Sequence, residues 1–443
     1  MKTAIQRGTA NRAGHDPRTA ALRIVDRVLT GKEPSQAVLD AVLRESKLVP
    51  SDKGLCTELV YGYLRWALRL EWDLGRLLKN PDKLPGEMLL VLGLAAYELA
   101  FLRIPAHASV NWAVSRVRNR FGKGLAGVAN GVLRTFARDV KQHDAPDRYA
   151  AITDAVERLA VAHSLPVWIA RLWVDAYGEE TALAYMRASS GQAVPALRVN
   201  AQRDDAASLR EQLIVEGKGV AAGPFGAAFP SGAPYLARIL EKKGRASFQS
   251  AAVQEILEEL GMPAWRGPVW DACAGRGGKT AAMLERGVDV QAATDLSPGR
   301  INALPGELAR LGLPAPAVIL EADAANPPAE NHFHSKFATI IADVPCSGLG
   351  TLSRRPEIRY RRTAESIAEM VSVQDAILDS AVAHLLPGGR IVYLTCTLNP
   401  AENNARVAAF LARHPAFSLL REWATPPDSP WREFFYGVVL GSE

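Results

Sequence analysis

Asp271-Ala272-Cys273-Ala274-Gly275-Arg276-Gly277-Gly278-Lys279-Thr280 is the stretch on which the reading of the fold turns. The apolar run 268–272 leading into it predicts a β-strand, and Lys279–Arg286 behind it predicts a helix. Three glycines stand at the corner between them, where a backbone must turn sharply and approach a ligand closely. The stretch is not the dinucleotide fingerprint, because Thr280 stands where a third Gly is needed. It also misses the phosphate-binding loop, because Cys273 occupies the first Gly position. Taken alone it suits a bare strand–helix corner as well as a ligand site, so its context decides.

Downstream, strand-like runs at 290–294, 317–321, 337–342 and 390–394 alternate with helical runs at Pro298–Leu311, Thr363–Leu386 and Ala401–Arg413. This alternation with short connections predicts a doubly wound parallel sheet, in which ligands bind beyond the carboxyl ends of the strands. Asp295 ends the second strand, 20 residues beyond Gly275, where an acid reaches a ribose hydroxyl. Asp323 ends the third and can reach the base of the same nucleoside; Asp343 ends the fourth. Each Asp alone could simply cap the next helix. Three in succession favour a nucleoside with a ribose diol and no phosphates, which suits S-adenosylmethionine better than a nucleotide.

The fourth strand runs into Asp343-Val344-Pro345-Cys346-Ser347-Gly348, and the fifth ends Tyr393-Leu394-Thr395-Cys396. A lone cysteine is usually a small buried hydrophobe. Two at successive strand ends beside an acid point to thiol chemistry. Carbon 5 of a pyrimidine is a poor nucleophile, and a thiolate adding to carbon 6 makes it a good one. Asp343 near ring nitrogen 3 would stabilise that adduct. Strand order leaves the two cysteines equivalent. Between the strands, Ser353–Arg362 holds five Arg and a Tyr within ten residues. Arg354, Arg355, Arg359 and Tyr360 are candidates to bind RNA phosphates and stack a base, against the alternative of a solvated helix start.

Upstream, apolar residues recur at helical spacing from Arg18 to about Arg138, as in Ala21, Ile24, Val25, Val28 and Leu29, predicting a bundle of five to seven helices. Lys141–Asp147 reads as a linker. A second helical stretch, opened by Pro166, continues to about Ser190; 195–200 reads as a strand and 217–248 as short strands and turns. The expected organisation is an all-α domain at 1–143, a small α+β connecting domain at 144–254 and an α/β Rossmann-like domain at 255–443.

Composition narrows the function classes. The 443 residues are 48% hydrophobic with 9 Trp, 10 Tyr and 12 Phe, which excludes disorder as the main state. The apolar run Met88–Tyr97 is about half of what a membrane helix needs. No apolar segment follows the basic Lys2, Arg7 and Arg12 as in a signal peptide. Four cysteines, none in a C-x-x-C pair, form neither a disulfide framework nor a zinc finger. A soluble, cytoplasmic, metal-free monomer with no membrane partner is expected. Residues 1–140 carry 22 Lys/Arg against 13 Asp/Glu, a net +9, and the remainder 30 against 34, a net −4. The basic first part is suited to a polyanion, or is a solvated helical surface with surplus Arg.

Together the motifs resemble the RsmB/Nop/Sun family of RNA cytosine-5 methyltransferases over nearly the whole chain. The loop 271–280, Asp343-Val344-Pro345-Cys346-Ser347-Gly348, the Arg-Arg-Pro-Glu run, Tyr393-Leu394-Thr395-Cys396 and Glu402-Asn403 match its methyltransferase motifs. Glu58–Arg65, Arg103–His107 and Ala129–Arg134 match its NusB-like RNA-binding domain, and Leu197–Asn200 its connecting domain. The resemblance implies a class I methyltransferase fold, S-adenosylmethionine as cofactor and RNA as partner, 16S ribosomal RNA in particular. It implies Cys396 as nucleophile and Cys346 as the group assisting product release. Cys273, Ala274, Gly275, Arg276, Gly277, Gly278, Lys279, Asp295, Asp323 and Asp343 would line the cofactor and target pocket. The chain departs from the pattern at Gly275-Arg276, where the family usually has Ala-Pro. It departs again at Gln249-Ser250 for Gln-Asp, at Pro305-Gly306 inside a helix, and at Phe434-Phe435-Tyr436, which lacks a preceding Asp-Gly. Two other readings are an RNA-dependent ATPase, with Lys279-Thr280 on phosphates and Asp343 on magnesium, and a catalytically degenerate RNA-binding protein.

Overall fold

The computed structural model describes residues 16–139, 146–203, 205–327, 333 and 336–442. The chain forms two compact units: residues up to Ser190 together with Arg355–Arg361, and Gly191–Arg354 together with residues from Arg362 on. Segment 144–254 thus contributes helices to the first unit and strands to the second.

The first unit is helical: α1 (Pro17–Thr30), α2 (Ser35–Glu45), α3 (Pro50–Gly75), α4 (Gly86–Phe101), α5 (Ala106–Phe121), α6 (Lys123–Asp139), α7 (Ala155–Ala162), α8 (Val167–Tyr177) and α9 (Glu179–Ser190). Six of these lie in the stretch for which five to seven helices are predicted. Asp16 starts α1 by accepting the Arg18 and Thr19 amides at 3.3 and 3.1 Å, with Pro17 in the first turn. The apolar run 88–97 lies in α4, which is buried nearly all round and is the bundle's central helix. Pro166 immediately precedes α8, as expected. Of the predicted linker, 141–145 lie outside the described residues, and Pro146–Tyr149 is a single 3-10 turn.

The second unit opens with β1 (Ala196–Val199), α10 (Ala206–Val215), β2 (Val220–Ala222), β3 (Gly226–Ala228), α11 (Tyr235–Lys242), β4 (Ala246–Phe248) and α12 (Ala251–Glu259). Its four strands form an antiparallel sheet in the order β2-β3-β1-β4. The reading of 217–248 as strands and turns missed α11. Pro234 precedes that helix, and Ala237 and Leu240 are buried on one face of it.

The chain continues through β5 (Val269–Asp271), α13 (Gly278–Glu285), β6 (Val290–Asp295), α14 (Pro298–Ile301), α15 (Leu304–Leu311), β7 (Val318–Glu321), β8 (Phe337–Asp343), α16 (Ala364–Ala383), β9 (Leu385–Thr395), α17 (Asn404–Arg413), β10 (Phe417–Ala424) and β11 (Tyr436–Ser442). The sheet order is β10-β11-β9-β8-β5-β6-β7. β5 to β9 are parallel, as predicted, but β11 pairs antiparallel with β9 and β10 with β11, so the sheet is mixed. The predicted helix 298–311 is split in two, and Pro305 falls in the first turn of α15, where its missing N–H costs nothing. From β5 the chain winds outward to β6 and β7, then returns to β8 on the other side. That reversal opens a crevice at the carboxyl ends of β5 and β8. Among the described residues, no helix is long and apolar enough to cross a membrane.

Candidate active site

The crevice is built on the turn between β5 and α13. The Ala274 amide donates to Thr294 O at 2.8 Å and the Gly277 amide to Ala274 O at 2.9 Å. Gly275 and Gly277 have φ of 59° and 89°, and a Cβ on Gly277 would stand 2.1 Å from a Leu304 methyl. A side chain at Gly277 is excluded by both backbone and space. Arg276 is exposed on this turn. The Gly278 carbonyl at the start of α13 accepts from Arg198 at 3.2 Å and Gln249 at 3.0 Å. Arg198 is itself held by a two-point ion pair to buried Glu285, at 2.7 and 3.0 Å. The loop is therefore braced from β1 and from the residue after β4.

Asp295 ends β6, as expected. Its Oδ2 accepts the Gly275 amide at 2.9 Å and its Oδ1 the Ser297 amide at 2.8 Å. A carboxylate has about four acceptor sites, so two remain for hydroxyls. Asp323 lies two residues past β7 rather than at its end, is exposed, and accepts the Ala325 amide at 3.0 Å. Asp343 is the last residue of β8 and forms an ion pair with Lys279. Asp271 is fully buried: Thr280 donates to its Oδ2 at 2.7 Å, and its Oδ1 has no partner among the described residues. Burial pushes the Asp271 carboxyl up to about 7.

These acids meet around Cys273. Burial, then the charges of Asp343, Asp271, Asp295 and Asp323, push its thiol well above the usual range. A ring of carboxylates repels a phosphate, accepts from a ribose diol and faces a cation. The donor set and the orphaned Asp271 oxygen therefore fit S-adenosylmethionine, which carries a diol, an ammonium and a sulfonium. Asp295 would hold the diol, and the turn at 273–278 would lie along the cofactor.

Cys346 and Cys396 stand at the ends of neighbouring β8 and β9 with their sulfurs 3.2 Å apart, and the Cys396 amide donates to Cys346 Sγ at 3.3 Å. Both are half-buried. The hydrogen bond to Cys396, then burial and the charge of Cys396, hold the Cys346 thiol well above its usual range. For Lys279, burial disfavours the charge, but the Asp343 carboxylate outweighs it and raises the ammonium overall, with Cys396 adding in the same sense. The two thiols thus differ in surroundings: the Cys346 thiol is held up by Cys396 and Glu402, and the charge of Cys396 is felt by the Lys279 ammonium.

The arginine-rich run is corrected in part. Arg359 is 2% exposed, in the first unit, where its guanidinium donates to the carbonyls of Arg65, Ser164 and Ser189 at 2.5, 2.8 and 3.1 Å. Tyr360 is half-buried and donates to Leu64 O at 2.7 Å. Neither presents its polar group to RNA, because each is satisfying helix carbonyls. Arg354 is exposed but paired with buried Glu433 at 2.7 Å, and Arg355 is exposed. The bracing residues Arg198 and Gln249 were not identified as functional from sequence. Each acts on a loop far away in the chain, and no local pattern marks that.

A family model described as 16S rRNA methyltransferase RsmB/F matches residues 263–429, and one described as the NusB family matches 15–138. The chain is 31% identical over 414 residues to the probable ribosomal RNA small subunit methyltransferase B of Bacillus subtilis, covering 90% of this chain and 89% of that protein. It is 33% identical over 405 residues to the ribosomal RNA small subunit methyltransferase B of Vibrio cholerae, covering 89% and 88%. Among solved structures, PH0851 shares the fold with a TM-score of 0.74 at 19% identity, over 96% of this chain and 98% of that one. With such identity sustained over nearly the full length of both partners, the chain belongs to the ribosomal RNA small subunit methyltransferase B family.

Proposed function

We infer that this RNA methyltransferase transfers a methyl group from S-adenosylmethionine to carbon 5 of a cytosine in 16S ribosomal RNA through a covalent adduct at carbon 6. The observation that carries the reading is the pair of sulfurs 3.2 Å apart beside the Lys279–Asp343 ion pair. The cofactor, when bound, supplies an electrophilic methyl group on a sulfonium, which is left as a neutral thioether when the methyl passes to carbon 5. Cys396, facing Lys279, adds as thiolate to carbon 6, forming the C–S bond and making carbon 5 nucleophilic. The negative charge that addition places on ring nitrogen 3 is met by the Lys279 ammonium, which Asp343 holds in place. Once Cys396 is bonded to carbon, its hydrogen bond and charge no longer hold up the Cys346 thiol. Cys346 can then ionise, take the proton from carbon 5, and let the C6–S bond break to free Cys396. The same contact that keeps Cys346 neutral before attack releases it afterwards.

The ATPase reading required Lys279 on phosphates and Asp343 on magnesium, whereas these two pair with each other amid carboxylates. RNA affinity in this reading comes from the basic helical unit, whose exposed Arg118, Lys123, Arg134 and Arg138 lie on α5 and α6. The test is denaturing electrophoresis of Cys346→Ala and Cys396→Ala with RNA and cofactor. Cys346→Ala is expected to transfer the methyl group and stall as a covalent protein–RNA species, and Cys396→Ala to form none. An adduct from Cys396→Ala alone reverses the roles, and adducts from neither variant overturn the covalent reading.

A further inference from the structure

Glu402 lies in the 3-10 turn Pro400–Glu402 after β9 and is wholly buried. Among the described residues its carboxylate gathers neutral donors. Oε1 accepts the Ser347 amide at 2.7 Å and Gln374 Nε2 at 3.1 Å. Oε2 accepts the Ser347 hydroxyl at 2.5 Å and Asn399 Nδ2 at 3.1 Å, and lies 3.4 Å from Thr397 Oγ1. Ser347 Oγ and Thr397 Oγ1 are 2.6 Å apart. A carboxylate only accepts, so the single Ser347 proton goes to Glu402 and Thr397 is the donor between the two hydroxyls. Ser347 follows Cys346, and Thr397 follows Cys396. One carboxylate thereby ties together the two cysteine-bearing loops, each one residue from its sulfur.

Tyr393 holds the turn by donating to Glu402 O at 2.7 Å, and Arg362 holds the other loop by donating to Ser347 O at 2.8 Å. A buried carboxylate without a cation costs free energy, and a glutamine would fill the same volume more cheaply if packing alone were needed. The charge also has a direction: it is among the groups that hold up the Cys346 thiol, while Lys279 sits on the Cys396 side.

We propose that Glu402 is the positioning residue of the thiol pair: by holding Ser347 directly, and Thr397 through the Ser347 hydroxyl, it sets the approach of the two sulfurs and makes Cys396 the reactive one. The inference rests on the two-thiol reaction above, but its test does not require that reaction to run. Iodoacetamide alkylation of the full chain, without RNA or cofactor, followed by site-resolved mass spectrometry, reads each sulfur separately. In the wild type Cys396 is expected to react at least about tenfold faster than Cys346, since the thiolate is the nucleophile. In Glu402→Gln the ratio is expected to fall to about threefold or less, with S-adenosylmethionine affinity by calorimetry within about threefold of wild type. Ser347→Ala, which keeps the charge and loses one tie, should fall between. A wild-type ratio in folded Glu402→Gln overturns the proposal, as does a wild-type ratio in Ser347→Ala if Glu402→Gln fails to melt cooperatively. Equal reactivity in the wild type overturns the two-thiol reading itself.

Discussion

Replacing Arg359 by Met should destabilise the helical unit rather than remove an RNA contact. Three hydrogen bonds from a charged donor, at about 1.5–3 kcal/mol each, give a gross loss of about 4.5–9 kcal/mol. Burial opposes this: it pushes the guanidinium down to about 10, a cost that Met does not carry. The bonds to Arg65, Ser164 and Ser189 must more than offset that cost, so a net loss of about 3–5 kcal/mol is expected, with three backbone carbonyls losing this donor. For a unit of this size about 2–4 °C is lost per kcal/mol, so its melting should fall by roughly 10 °C. Calorimetry of the full chain measures this, with Arg355→Met as the control, since Arg355 is exposed and should shift the transition by less than about 1 °C. An Arg359→Met protein that melts like wild type yet loses RNA affinity would falsify the structural assignment and restore the RNA-binding one. The same contacts make deletion of residues 1–140 a poor test of RNA binding, because it strips Arg359 of its Arg65 partner and Tyr360 of Leu64.

Asp295→Ala should weaken S-adenosylmethionine about a hundredfold or more in calorimetry, the equivalent of two charge-assisted hydrogen bonds at about 1.5–3 kcal/mol each; unchanged affinity counts against Asp295 as the diol acceptor. Asp271 has a carboxyl raised to about 7 when folded, so its contribution to stability is complete in acid and is lost as pH rises toward and through 7. Asp271→Asn should therefore flatten the fall in melting temperature between about pH 4 and 7 and gain on the wild type above that range, and parallel curves for the two proteins would contradict this.

Much of the catalytic unit was legible because its signals are local. A period-2 run, a glycine corner and a period-3.6 run within about twenty residues predict strand, turn and helix, and the alternation predicts where the strands end. That pattern alone puts Cys273, Asp295, Asp343, Cys346 and Cys396 at one sheet edge. Tyr436–Ser442 was missed because its pairing with β9, some forty residues earlier, makes it a strand, and β10 then pairs only with it.

The sequence by itself determined the parallel core of the sheet, the ligand edge and the residue types available there, since each is encoded by neighbours in the chain. Only the tertiary structure decided which of those residues act together. The 3.2 Å approach of Cys346 to Cys396, the Lys279–Asp343 pair and the bonds of Ser347 and Gln374 to Glu402 each join residues from separate segments. The fate of Arg359 was likewise open, because an arginine in a basic run can face water or helix carbonyls. Burial and charge balance are properties of what packs around a side chain, and no window of sequence contains both partners.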